Sequence, residues 1–375
     1  MPKTDFVETG VGAIHYGQIY TFYGTWATET SSFVAPETAA KLAKVDPGDV
    51  IITNTSENLE DVGKAVAWLG SAQIVTGGHA TVFKHSMDPK YVAYWLQTPD
   101  FFEQKKRLAT GTKVIDVSAK ALERVTIPVP PLEVQREIVR VLDAFTQLEA
   151  ELEAELEARR RQYYHYRDSL LTFRERERVR WATLGEISVS VSSGGTPLAS
   201  RPDFYAGGDI PWLRTQEVRS VDVWETDMRI TDAGLAYSSA KWIPANCVII
   251  AISGATAGRS AVNKIPLTTN QHCCNFEIDA AQADYRYVFY WVQGQYEQIK
   301  GLGRGARADL NAAIIKNVEI PVPPLEEQAR IVAILDKFDA LVNDLSSGLP
   351  AELAARRKQY EHYRDRLLTF KEAVA

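Results

Sequence analysis

Val125-Thr-Ile-Pro-Val-Pro-Pro-Leu-Glu-Val-Gln-Arg-Glu-Ile-Val-Arg-Val-Leu-Asp-Ala-Phe145, closing on Ala158-Arg-Arg-Arg-Gln-Tyr-Tyr-His-Tyr-Arg-Asp-Ser-Leu-Leu-Thr-Phe173, occurs twice in this chain. It returns as Val318-Glu-Ile-Pro-Val-Pro-Pro-Leu-Glu-Glu-Gln-Ala-Arg-Ile-Val-Ala-Ile-Leu-Asp-Lys-Phe338, closing on Ala355-Arg-Arg-Lys-Gln-Tyr-Glu-His-Tyr-Arg-Asp-Arg-Leu-Leu-Thr-Phe370. Each copy follows a longer stretch of mixed character, so the order is globule, helix, globule, helix. Such a repeat has to be read first, because it dictates the architecture. It presents two variable surfaces on one duplicated frame.

The first copy carries apolar or aromatic side chains at positions spaced alternately by four and three. They are Ile138, Leu142, Phe145, Leu152, Leu156, Tyr163, Tyr166, Leu170 and Phe173, with Glu149 and Arg159 interposed. This is a heptad stripe, the pattern of a coiled coil. The run Glu149–Ala158 is rich in strong helix formers. Pro130-Pro131 suits a helix start, and Glu133 and Glu137 sit where the helix dipole favours negative charge. About 40 residues make a rod of about 60 Å. The second copy keeps the stripe at Ile331, Leu335, Phe338, Val342 and Leu345, and resumes it at Leu353, Arg356, Tyr360, Tyr363, Leu367 and Phe370. A four-residue insertion around Ser346–Pro350 interrupts it, with Gly348 expected to end one helix and Pro350 to open the next. Two matching stripes most simply pack on each other, antiparallel. The alternative is that each stripe is core of its own domain.

The globules are related too. Lys90–Gln97 matches Arg286–Gln293, and Pro47–Ile52 matches Ala245–Ile250. Gly77–Phe83 lines up with Asn270–Phe276, and Gly12–Thr21 with Asp209–Val218. The shared positions are apolar and the differing ones polar, as expected of one scaffold with two recognition surfaces. Strands are expected at Asp49–Thr53 and Val248–Ile252, and amphipathic helices at Tyr91–Gln104 and Tyr285–Lys300. The fold class is α/β (α+β), with two mixed α/β domains and two long helices in a pseudo-twofold repeat. The domain boundaries expected are 1–124, 125–180, 181–317 and 318–375. One asymmetry stands out. The second globule passes Trp181-Ala-Thr-Leu-Gly-Glu-Ile187 and Ser193-Gly-Gly-Thr-Pro197 before Asp209, whereas the first lacks about 27 such residues ahead of Gly12. The amino-terminal part of the first domain is thus expected to be missing, or to be borrowed from elsewhere.

Composition narrows the function. The 375 residues are 45% hydrophobic and 24% charged, a globular balance with no apolar run of membrane-spanning length. Cys247, Cys273 and Cys274 form no paired framework, which suits a reduced, cytoplasmic setting. The net charge is −6. Residues 1–124 hold 12 basic against 14 acidic side chains, and residues 181–317 hold 12 against 13. Neither globule can supply much phosphate neutralisation alone. Gly254–Ser260 resembles a phosphate loop but is one residue short and has Arg for Lys. No Asn-Pro-Pro-aromatic motif or Gly-x-Gly-x-x-Gly turn is present, so the chain shows no site for S-adenosylmethionine or NAD. His79 and His272 occupy equivalent places, as do His165 and His362, which repeat descent explains better than zinc. No catalytic residues and no metal site are expected; the chain reads as a binder.

Three elements together, Ile-Pro-Val-Pro-Pro-Leu-Glu-x-Gln, the following Leu-Asp-x-Phe, and Arg-Arg-x-Gln-Tyr-x-x-Tyr-Arg-Asp-x-Leu-Leu-Thr-Phe, resemble the conserved regions of type I restriction–modification specificity (S) subunits. Trp-x-x-Leu-Gly-Glu-Ile and Ile-Pro-Trp-Leu are also of that kind, so the resemblance covers essentially the whole chain. It implies two target recognition domains that each read half of a split sequence in double-stranded DNA. It also implies an antiparallel coiled coil that separates them and docks two methyltransferase (M) subunits, with two restriction (R) subunits joining. S-adenosylmethionine, ATP and Mg would bind the partners, leaving no cofactor in this chain. The alternative is a coiled-coil scaffold or interaction protein whose DNA reading is lost by truncation.

Base chemistry alone suggests the readers, since Arg and Lys pair with guanine, Asn and Gln with adenine, and Asp or Glu with cytosine. The first-globule candidates are His15, Tyr16, Gln18, Tyr20, Asn54, Ser56, Asn58 and Lys113. The second-globule candidates are Arg214, Gln216, Glu217, Arg219, Thr256, Arg259, Asn270, Gln271, Arg304 and Arg307.

Overall fold

The computed structural model describes residues 3–173, 179–303, 310–344 and 346–370. The chain divides into two compact units that do not follow chain order: Met1–Glu153 with Glu352–Ala375, and Ala154–Ala351. Each unit therefore takes one globule, half of a long helix, and a helix from the carboxy-terminal copy.

In the first unit the strands Ala80–Phe83, Val50–Thr53, Ala65–Trp68 and Trp26–Ala27 lie side by side in that order. The first two junctions are antiparallel and the last is parallel. The β-branched run Val50-Ile-Ile-Thr53 is buried throughout, as a central strand covered on both faces should be. A second sheet orders Phe6–Val7, Ser32–Val34, Val11–Ile14, Ile74–Thr76 and Ala43–Val45. Its Val11–Ile14 and Ile74–Thr76 strands are parallel.

The second unit repeats this topology. Cys273–Ile278, Val248–Ala251, Ser260–Asn263 and Asp222–Val223 follow the same order with the same senses. Arg229–Ile230, Ile210–Leu213, Leu267–Thr269 and Trp242–Ile243 reproduce the second sheet, again with a parallel central pair. The expected alignment of Gly12–Thr21 with Asp209–Val218 needs a correction of two residues. Ile14 pairs with Thr76, and Leu213 pairs with Thr269, so Ile14 corresponds to Leu213. A shift of two keeps every side chain on its face, so the alternating pattern could not detect it.

The segment present only in the second globule supplies two further strands. Ser188–Ser193 adds to the outer side of Cys273–Ile278, and Arg180–Thr183 pairs with Glu319–Val322. Leu184 and Ile187 between them are fully buried.

The helix expected over Tyr91–Gln104 is two helices, Pro89–Trp95 and Pro99–Leu108. Pro99 lacks an N–H and disfavours helical backbone at Thr98, which instead caps the second helix. The helix expected over Tyr285–Lys300 likewise splits into Tyr285–Gly294 and Tyr296–Gly301.

The repeated motif docks each globule onto the frame through the same bonds. Gln135 Oε1 accepts from the Asp88 N–H at 2.9 Å, and its Nε2 donates to the Pro130 carbonyl at 2.7 Å. Gln328 does the same with Asp284 and Pro323, at 2.8 Å each. Tyr91 and Tyr287 donate to the carbonyls of Pro128 and Pro321. Tyr94 donates to Asp143, and Tyr290 to Asp336. The cation of this joint differs between the units. Lys90 Nζ bonds Asp143 at 2.7 Å and lies 3.7 Å from the Trp26 ring centroid. Arg286 bridges Asp336 at 2.7 Å and Asp222 at 2.6 Å. Trp26 and Asp222 open equivalent strands, so an aromatic face in one unit is a carboxylate in the other.

The first copy of the repeat is one unbroken helix, Leu132–Leu171. The second is two, Leu325–Asn343 and Leu349–Leu368. The interruption is where the inserted residues predict it, but Gly348 does not end the first helix. That helix stops at Asn343, and Gly348 lies just before Leu349, its N–H donating to the Asp344 carbonyl at 3.1 Å. A Cβ there would sit 2.4 Å from the Ala340 carbonyl oxygen, so close approach explains the glycine. Leu345 lies outside the described residues.

Both readings of the stripe hold. In the first unit Phe145 stacks on Tyr363, and Glu149 pairs with Arg357 at 2.6 Å, so the helices run antiparallel. Ile138 and Leu142 belong at the same time to the globule core with Tyr91, Val92 and Leu368, with Tyr360 and Leu367 packed against it. In the second unit Tyr166 stacks on Phe338. Leu156, Tyr163, Ile331 and Leu335 join the core around Val288 and Tyr290, with Leu170 against it. Leu152 is half-buried and Leu353 buried.

Candidate DNA interface

In each unit the loops that follow equivalent strands converge at one end of the sheets. In the first unit they follow Val11–Ile14, Val50–Thr53 and Ile74–Thr76. His15 caps the short helix Tyr16–Thr21, accepting from the Gly17 N–H, while Gln18 Oε1 accepts from the His15 N–H. Gln18 Nε2 then donates to Ser31 and Ser32. Tyr16 lies between His15 and His79, with centroids 4.4 and 5.1 Å away. Tyr20 donates to the Thr55 carbonyl at 2.6 Å, and burial raises its phenol above the usual value. Thr55 Oγ is 3.3 Å from His79 Nδ1. Ser56 lies in the strand Thr55–Ser56, which pairs with Ile115–Asp116, so exposed Lys113 sits on the loop entering that pairing.

Two first-unit candidates are structural. Asn54 is 8% exposed, with its amide donating to the Val117 carbonyl and accepting from Thr81. Asn58 closes a turn with Asp61 through both ends of its amide. Asn at a turn often serves its own backbone, and residue type alone does not distinguish that role.

The second unit builds the matching end from loops after Ile210–Leu213, Val248–Ala251 and Leu267–Thr269. Arg214 occupies the place of His15. Its N–H donates to Glu217, and its guanidinium lies 3.5 Å from Glu217 and 3.7 Å from Asp227. Gln216, its amide oriented to accept, lies 2.9 Å from the same guanidinium. Glu217 is also committed to the Asp227 N–H, so it serves the loop rather than the surface. Thr256 donates to the Thr215 carbonyl and ties two loops together. Asn270 is 8% exposed and accepts from the His272 N–H, again an internal role. Gln271 accepts from Thr196 and faces His272. Arg219 and Arg259 are exposed and form no ion pair among the described residues. Arg304 and Arg307 lie outside the described residues.

The accessible set is therefore Tyr16, Tyr20, Ser56, Lys113 and the His15–Gln18 turn on one unit, and Arg214, Gln216, Arg219, Arg259 and Gln271 on the other. Residue-type reasoning omitted His79, His272, Thr55 and Thr196. The paired placement of His79 and His272 in the repeat was the signal that could have included two of them. Among the described residues no group of three or more His, Cys, Asp or Glu side chains could hold a metal ion. Nor is any described helix long and apolar enough to cross a membrane.

The family model for the type I restriction modification DNA specificity domain matches residues 24–158 and again 178–355. The chain belongs to that family. As a specificity subunit it is the non-catalytic member of a type I system. It is 38% identical over 293 residues to the Escherichia coli type I restriction enzyme EcoR124I/EcoR124II specificity subunit, covering 75% of this chain and 70% of that one. It is 30% identical over 309 residues to a putative type I specificity subunit of Haemophilus influenzae, S.HindORF215P, covering 78% and 75%. A solved chain from a type I R-M system superposes with a TM-score of 0.67 at 20% identity, covering 96% of this specificity subunit and 91% of that chain. The S subunit from M. genitalium superposes at 0.57 with 14% identity, covering 99% and 92%. These two likenesses establish the fold.

Proposed function

We propose that this specificity subunit reads a bipartite target in double-stranded DNA, one half with the loop end of each unit. Residues 1–124 and 181–317 are the reading domains, and 125–180 and 318–375 form the frame that sets their spacing. The observation that carries this reading is the repetition of one topology with different side chains at the same end. Where one unit offers His15, Tyr16 and Gly77, the other offers Arg214, Thr215 and Asn270. Base-edge contacts specify sequence, whereas backbone contacts only position the protein. A duplicated scaffold with divergent loops fits that division.

Charge argues for partners. With 12 basic against 14 acidic side chains in one globule and 12 against 13 in the other, phosphate neutralisation has to come largely from elsewhere. Two methyltransferase subunits docked on the frame supply it, and two restriction subunits join them. S-adenosylmethionine, ATP and Mg belong to those subunits, and the assembly works in the cytoplasm on cellular DNA. The test is DNA affinity against salt concentration, for the chain alone and with its methyltransferase. Weak binding alone and tight, steeply salt-dependent, sequence-selective binding in the complex is expected. Equal affinities and slopes would refute it.

A further inference from the structure

The two units reverse a charge where Lys84 stands in one and Glu277 in the other. Lys84 follows Phe83 as Glu277 follows Phe276, so the two are counterparts in the repeat. In the first unit the Lys84 ammonium donates to Asp46 at 2.6 Å and to Asp49 at 2.7 Å. The counterparts of those two acids in the second unit are Pro244 and Cys247, and Val82 becomes Asn275. Pro244, Cys247, Asn275 and Glu277 line a cavity of about 290 Å³. One unit thus fills this place with a lysine side chain, and the other leaves it open.

The cavity wall is a set of acceptors. Asn275 is 2% exposed; its amide N–H donates to Thr269 at 2.8 Å, and its Oδ1 has no partner. A buried acceptor left unpaired is costly, so a donor entering the cavity gains from it. Ser190 and Ser192 stand across the strand pairing from Glu277 and Asn275, on the same face, and line the same cavity. Burial pushes the Cys247 thiol up to about 12 and keeps it neutral, so Glu277 is the only negative charge in the lining. Glu277 forms no ion pair among the described residues. Lys241 also lines the cavity, but it is exposed and likewise unpaired among the described residues. Trp242 adds an aromatic wall.

We propose that this cavity binds a small primary alkylammonium ligand. Its ammonium would donate to the Glu277 carboxylate, the Asn275 Oδ1 and a serine hydroxyl, with the alkyl chain against Trp242 and Pro244. A primary ammonium has three donors and no acceptor, which matches this set. An aromatic face beside a carboxylate favours an organic cation. A metal ion matches less well, because calcium takes about six to eight oxygen ligands and magnesium a near-octahedral shell. The first unit holds an alkylammonium of its own in this place, the Lys84 side chain. The cavity lies at the end of the sheet away from the reading loops, since Cys247 precedes Val248–Ala251 and Thr256 follows it. The proposal therefore does not depend on what those loops read.

The probe is n-butylammonium, added to the full chain and followed by saturation-transfer NMR on the ligand, with neutral n-butanol as the matched comparison. Saturable binding of butylammonium is expected, roughly tenfold or more tighter than butanol, because hydrogen bonds between charged groups are the stronger kind. Glu277→Gln keeps the shape, removes the charge and should weaken butylammonium by a similar factor. Glu277→Lys restores the lysine of the first unit and should abolish binding. The comparison of the two ligands uses the unsubstituted chain, so it stands whether or not a variant folds. No saturable binding of butylammonium, equal binding of butanol, unchanged binding to folded Glu277→Gln, or displacement by an equal concentration of calcium chloride would overturn the proposal.

Discussion

Phe145 stacks on Tyr363 with ring centroids 5.4 Å apart and planes inclined at 24°. Its repeat counterpart Phe338 stacks on Tyr166, also at 5.4 Å and at 28°. Tyr166 is in turn the counterpart of Tyr363. One contact is thus made twice, with the roles of the two helical copies exchanged. That is what a pseudo-twofold frame requires, and it explains why Phe and Tyr both recur in each copy of the motif.

A double-mutant cycle on Phe145 and Tyr363 should give a coupling of about 0.5–1.5 kcal/mol, as for other aromatic pairs. Phe145→Ala and Tyr166→Ala belong to different stacks and should be additive within about 0.5 kcal/mol. Urea unfolding of the three single and two double variants measures both. A coupling between Phe145 and Tyr166 as large as that within a stack would mean that the two contacts are not independent copies.

Gln328 is fully buried and satisfies a helix-start N–H and a carbonyl before its own helix. Gln328→Ala leaves both backbone groups without that partner and should cost about 2 kcal/mol or more. Gln135→Ala should do the same in the first unit. Thermal unfolding with exchange mapping at Asp284 and Asp88 checks the effect. A neutral Gln328→Ala would show that water replaces the amide at no cost.

Lys105 is 4% exposed, and burial lowers its ammonium to about 8. It donates to the carbonyls of Glu60 and Val62. An unfolded lysine titrates near 10.4, so between about 8 and that value the unfolded chain holds more protons and stability rises with pH. Relative to Lys105→Met, the unsubstituted chain should gain roughly 2–4 kcal/mol across this window. Chemical denaturation at pH 7.5 and pH 10, roughly the two ends of that window, tests the sign. A gap that moves against the unsubstituted chain as pH rises would contradict the assignment.

Tyr16→Ala and Arg259→Ala should relax different halves of the target. Each replaced contact to a base edge is worth about 1–3 kcal/mol of discrimination, and each lost phosphate contact lowers the salt slope by about 1. Selection of bound sequences from a random pool by the assembled complex separates the two effects. Relaxation of the same half by both variants would be incompatible with one reader per unit.

Much of this was legible in the sequence because it is repeated. Duplication disclosed the frame, the two globules and their correspondence. Other features depend on neighbours that no local pattern names. The two-residue shift near Ile14 and Leu213 preserves alternation and so left no trace. The break at Thr98 was written in Thr-Pro, but the apolar spacing ran on through it. Heptad spacing does not say what faces the stripe, so it leaves a partner helix and the domain's own core both open; Ile138 and Leu142 pack with Tyr91 and Val92 of the globule and with Leu368 of the other helix. Among the candidate readers, residue type pointed to chemistry but not to access. Asn54, Asn58, Glu217 and Asn270 have suitable groups that are already engaged within the fold.

The most direct test of the account replaces residues 181–317 with the corresponding domain of another specificity subunit, in cells that carry the matching methyltransferase. Sequencing the host DNA then gives the methylated motif. One half of the motif should change, with the other half and the spacer length unchanged. A change in both halves, or in the spacer alone, would contradict two independent readers on a shared frame.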